Sequence, residues 1–110
     1  MKVVVAIIRP EQLPAVKQAL LDAGIKQLTA TTVMGTAPKA EQLMFRGVRH
    51  EVTLFRRVRV ELVVQDAQLE AAIEAISQAA RDSGGHGFVF VTEAVEVVVV
   101  ATGERGPRAL

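Results

Sequence analysis

Ala6-Ile7-Ile8-Arg9-Pro10-Glu11-Gln12-Leu13-Pro14-Ala15 and Leu62-Val63-Val64-Gln65-Asp66-Ala67-Gln68-Leu69-Glu70-Ala71 are two versions of one motif, with Gln12-Leu13 falling on Gln68-Leu69, 56 residues on. Each version runs from an apolar strand through a short polar turn into an amphipathic helix. A unit that recurs at a fixed period marks a repeated supersecondary element, so the chain reads as a doubled β-α-β. The stretch between the copies, Gly35 to about Arg57, is then an insertion that the core does not need.

Working outward, Lys2 to Ile8 is a β-branched run without alternation, as expected of a buried strand. Pro14 suits a first helical turn, where its missing N–H costs nothing. Leu13, Val16, Leu20 and Leu21 follow at helical spacing, and Gly24 is the predicted stop. Ile25 to Met34 predicts a second strand, broken by Gly35 to Lys39. The Ala40–Thr53 stretch has no clear period, although Gln42 to Phe45 suits a short helical turn. Arg56 to Val64 alternates, with Val58, Val60 and Leu62 opposite Arg57, Arg59 and Glu61. Ala67 to Ala80 is the second helix, with Leu69, Ala72, Ile73, Ile76 and Ala80 inward. After the Asp82–Gly87 turn, Phe88 to Val91 and Ala94 to Val100 predict one or two further strands. Thr102 onward reads as a mobile polar tail.

This order gives an α+β class: a ferredoxin-like βαββαβ sandwich, an antiparallel sheet with two helices on one face, in a single domain spanning residues 1–110. Val-rich strands with few charges on either side imply that the second sheet face is also covered, most simply by other subunits. The 110 residues suffice for a core without staples, and the absence of cysteine excludes disulfides and thiolate metal sites. A cytoplasmic protein with no signal peptide and no membrane insertion is expected. A net charge of +1 gives no global attraction to nucleic acid, but Arg46, Arg49, Arg56, Arg57 and Arg59 concentrate in one segment, with Glu51 its main negative residue.

Catalytic signals are weak. His50 and His86 are the only histidines, and no nucleophile–base set emerges from the layout. If their loops meet, His50, His86 and Glu41 could ligate a metal, although two loop histidines are more often plain polar surface. Gly87-Phe88-Val89-Phe90-Val91 is similar to the base-stacking strand of RNA-recognition domains, but here it follows the second helix instead of preceding it. Nucleic-acid binding by that route is not expected. Gly84-Gly85-His86-Gly87 permits positive φ angles and close backbone approach to a ligand, as would any tight turn.

Together, Ala6–Pro10, Gly24-Ile25, Leu28-Thr29, Val33-Met34-Gly35, Arg46-Gly47, Arg57–Val64, Gly85–Val91 and Thr102-Gly103-Glu104 resemble the P-II signal-transduction family over nearly the whole chain. The resemblance implies a homotrimer. It also implies a T-loop at about residues 35–56 that contacts a transporter or enzyme, a B-loop at about 82–87, and an adenine nucleotide in intersubunit clefts. Effector contacts would come from Ile7, Thr29, Gly35, Glu61, Val63, Gly85, His86 and Gly87. Lys39, Arg46, Arg49 and His50 would face the partner.

The chain also departs from the family pattern. Thr36-Ala37-Pro38-Lys39 stands where the family has Phe-Gly-Arg-Gln, removing the glutamine that helps hold magnesium and 2-oxoglutarate. His50 replaces the tyrosine that some members uridylylate. The B-loop lacks its phosphate-binding lysine, and Val99-Val100-Ala101 replaces an Arg-x-Arg. Charge-assisted hydrogen bonds are worth roughly 1.5–3 kcal/mol each, so these losses weaken ATP on the order of a thousandfold or more. The implied ligand is ADP or AMP, or ATP with reduced affinity. Alternatives are bicarbonate or a metal ion as effector, a ligand-free structural trimer with Phe88 and Val99 filling the cleft, and a small ferredoxin-like enzyme.

Overall fold

A computed structural model describes residues 1–37 and 53–110. The predicted turn at Gln42–Phe45 lies outside these residues. The elements are β1 (Lys2–Ile8), α1 (Leu13–Asp22), β2 (Thr29–Thr36), β3 (Leu54–Val64), α2 (Leu69–Asp82) and β4 (Phe88–Glu93). The strands form one antiparallel sheet in the order β2-β3-β1-β4. This is the expected ferredoxin-like arrangement.

Alternation along the strands decides which side chains meet the helices. Val4, Ala6 and Ile8 of β1 and Val58, Val60, Leu62 and Val64 of β3 pack with Val16 and Leu20 of α1 and Ala72 and Ile76 of α2. Full burial of a branched aliphatic side chain is worth about 1.5–3 kcal/mol, so this cluster is the main source of stability. Ile73 and Leu21 lie nearer the surface, with Leu21 exposed. Gly24 ends α1 at φ +84°, a backbone that favours glycine.

The repeat is structural as well as textual. Before each helix, a one-turn 3-10 segment closes through the same pair of bonds. Arg9 N–H donates to Gln12 Oε1 at 2.7 Å and Gln12 N–H to Arg9 O at 3.0 Å. In the second copy, Gln65 N–H donates to Gln68 Oε1 at 3.3 Å and Gln68 N–H to Gln65 O at 2.9 Å. β1 and β3 lie side by side with Val5 opposite Glu61. Those two residues are also 56 apart, so the axis relating the copies passes through that pair.

Two boundaries differ from expectation. The β2–β3 ladder continues through Gly35↔Phe55 to Thr36↔Leu54, so Gly35 and Thr36 belong to the sheet and do not break it. The connecting segment is correspondingly narrower than predicted. At the other end, Ala94–Val100 adds no strand to the sheet. A lone Val98↔Arg105 bridge and bonds from Val99 N–H to Glu104 O and Gly106 N–H to Val97 O fold the chain back on itself. Valine-rich runs favour extended backbone, but a strand needs a paired edge, and Val95 and Val100 are 94% and 97% exposed. The residues expected as a mobile tail are anchored, with Gln65 Nε2 donating to Pro107 O at 2.8 Å.

Candidate functional site

Ile7, Thr29, Gly35, Glu61 and Val63 all alternate onto the sheet face away from the helices, the face that also carries Phe88 and Phe90. The two rings stack with centroids 6.2 Å apart, and Phe88 is 61% exposed. The candidate residues do not form one cluster. They fall into two groups.

The first group sits where β1 ends and the glycine-rich turn enters β4. Ile7, Ile8, Arg9, Thr36, Arg57, His86, Gly87 and Phe88 line a cavity of about 120 Å³. Gly87 has φ +123°, and a Cβ placed there would come within 2.6 Å of the Ile7 carbonyl oxygen. Only glycine lets the turn lie this close to β1. Phe88 forms part of the wall. The Arg57 guanidinium lies 5.4 Å from the Phe55 ring centroid, a cation–π contact that stiffens its stem.

Gln12 builds this end of the molecule. Its side chain is fully buried, accepts from Arg9 N–H, and donates through Nε2 to Ala80 O at 3.0 Å and to His86 O at 3.1 Å. One amide therefore ties the exit of β1, the end of α2 and the glycine-rich turn together. Gly85 N–H completes the turn by donating to Ala80 O at 2.8 Å. On the helix side of the same turn lies a second cavity of about 330 Å³, reached by Ser77, Arg81 and His86.

The second group is Thr29, Glu61 and Val63. Thr29 faces Glu61 across β2 and β3, and its hydroxyl donates to Glu61 O at 3.4 Å. The Glu61 carboxylate pairs with Arg59 at 3.4 Å, a half-exposed contact of about 0–1 kcal/mol. Val63 borders a cleft of about 340 Å³ with Lys26, Gln27, Gln68 and the last residues Ala109 and Leu110.

Lys39, Glu41, Arg46, Arg49 and His50 lie outside the described residues. Among the described residues, no three His, Asp or Glu side chains are grouped to hold a metal ion. The sequence reading missed Gln12, Arg9 and Thr36 as parts of the site. The repeat did mark position 12, but nothing in its spacing says that the amide turns inward.

The model of the family described as nitrogen regulatory protein P-II matches residues 1–104. The chain belongs to the P-II family. Nitrogen regulatory protein P-II of Azospirillum brasilense is 42% identical over 112 residues, covering all of both chains. The Rhodospirillum rubrum protein of the same name is 40% identical, again over the whole of both. Nitrogen regulatory protein GlnK1 of Methanosarcina mazei is 37% identical over 114 residues, covering all of this chain and 97% of that one. P-II proteins are regulators of signal transduction rather than enzymes, which removes the small-enzyme alternative. Among the described residues of this P-II chain, no helix is long and apolar enough to cross a membrane.

Proposed function

We propose that this P-II chain assembles as a homotrimer in the cytoplasm and binds an adenine nucleotide, ADP or AMP in preference to ATP, in clefts between subunits. Ligand occupancy would shift the segment between β2 and β3 between states that engage or release a partner enzyme or transporter, in nitrogen regulation. For that to signal, the ligand has to bind one state more tightly than the other.

The observation that carries this reading is the division of the candidate residues. Ile7, His86 and Gly87 surround one cavity, whereas Thr29, Glu61 and Val63 lie elsewhere on the same open sheet face. Two half-sites on a face with exposed stacked phenylalanines suit a cleft completed by a neighbouring copy. The cavity at the first half-site is small for a nucleotide, which fits a site completed by a second chain.

Calorimetry against ATP, ADP, AMP, bicarbonate and divalent cations tests the proposal. ADP or AMP should bind, while magnesium-ATP should be weakened on the order of a thousandfold against a member with the full phosphate-gripping set. Tight magnesium-ATP binding that strengthens with 2-oxoglutarate would contradict the nucleotide preference, and a monomer in light scattering would remove the cleft.

A further inference from the structure

We infer that the cleft beside Gln68 binds a small carboxamide with an aliphatic body, at a site separate from the proposed nucleotide cleft. The ground for this is the internal repeat, whose two halves close differently. Gln12 and Gln68 hold the same place in the two strand-to-helix turns, and the two helices end alike. Gln18 Nε2 donates to Asp22 at 2.9 Å and Gln78 Nε2 to Asp82 at 3.0 Å. Two residues beyond each aspartate stands a glycine at positive φ, Gly24 at +84° and Gly84 at +126°.

In one half the joint is shut. Gln12 Nε2 donates to Ala80 O and His86 O, and a Cβ built on Gly84 would lie 3.7 Å from that nitrogen. In the other half the joint is open. Gln68 Oε1 accepts from Gln65 N–H, which settles the orientation of the amide, and Nε2 has no hydrogen-bond partner among the described residues. A Cβ built on Gly24 would meet nothing within 4 Å. Gln68 and the Gly24–Gln27 turn instead line the cleft of about 340 Å³, with Val63, Val64 and Leu110 as apolar wall. That volume lies at the small end of ligand pockets, which run from about 300 to 1,000 Å³. The partners of Gln12 are amide carbonyl oxygens, and the same acceptor suits the unused Gln68 Nε2. Lys26 and Gln27 add donors from the facing turn, no Asp or Glu side chain lines the cleft, and Ile25 and Val63 offer surface to an aliphatic body. Of the second half-site only Val63 borders this space. A compound bound there ties the α1–β2 turn to the exit of β3, as Gln12 ties the end of α2 to the exit of β1.

The probe is N-acetyl-L-leucinamide, titrated into the full chain and followed by NMR of backbone and side-chain amides. A ligand of this size binds in the millimolar range. Saturable shifts should appear at the Gln68 side-chain amide and at the backbone amides of Gly24 and Lys26, and the Gln12 side-chain amide should stay in place. Gln68→Glu keeps the acceptor for Gln65 N–H and removes the donor, so it should weaken the probe about tenfold, the worth of one hydrogen bond. Absence of saturable shifts at Gln68 and Gly24 overturns the inference on the native chain, without recourse to any variant. Equal affinity in folded Gln68→Glu overturns it as well. Displacement of the probe by ADP would merge the cleft with the nucleotide site and end the claim of a separate one. A chain that takes up the probe and ignores every nucleotide would sink the nucleotide reading and leave this one standing.

Discussion

Gln12 is the residue on which the geometry of the first half-site depends most. It is a fully buried polar side chain, and each of its three hydrogen bonds reaches a different segment. Replacing it with leucine keeps the volume but takes the partner from the Arg9 N–H and the His86 carbonyl, while Ala80 O keeps the Gly85 N–H. An unmet buried polar group costs about 1–3 kcal/mol, so Gln12→Leu should destabilise the chain by several kcal/mol in urea unfolding. Gln12→Glu should cost less in acid, where the protonated carboxyl can donate one bond, than at neutral pH. A loss below about 1 kcal/mol for Gln12→Leu would show that the three contacts do not hold the turn. The role was hidden in the sequence because glutamine in a polar turn ordinarily faces water. Only the packing of α2 against that turn makes the site interior.

At the scale of elements, the strands and helices were readable because their apolar periods are clean. Val58, Val60 and Leu62 point inward and Arg57, Arg59 and Glu61 outward, as alternation predicts. The failure came at Ala94–Val100, where β propensity was high but no sheet edge was left to pair with, a matter of topology and not composition. The sheet's near end is tied by two ion pairs: Met1 amine to Asp66 at 2.8 Å, and Lys2 to its register partner Glu93. The hydrogen bond from the Met1 amine, then that amine's charge and that of Lys2, hold the Asp66 carboxyl below its usual range. A lowered carboxylate pKa adds stability that is present above the ordinary carboxylate range and lost as pH falls through the lowered value. Thermal melts between pH 6 and pH 2 should therefore show Asp66→Asn less stable than the native chain at pH 6, with the difference vanishing at the acid end. A constant difference across that range would mean that the carboxylate's charge is not what the pair contributes.

For the whole molecule, the family and the fold were legible from residues spread along the chain, whereas the site was legible only in part. Ile7, His86 and Gly87 line one cavity because a glycine-only approach brings the turn onto β1. Thr29, Glu61 and Val63 lie apart from them on the same sheet face, a separation that no local pattern in the sequence foretells. If two copies complete one cleft, a mixed assembly shows it most directly. His86→Glu should spoil the first half-site and Glu61→Ala the second, so each variant alone should form a trimer of about three times the 11.8 kDa chain and lose ADP binding. Trimers reassembled from both variants contain some clefts with two native halves, and these should bind ADP again by calorimetry. Verified mixed trimers that still bind no ADP would contradict the claim.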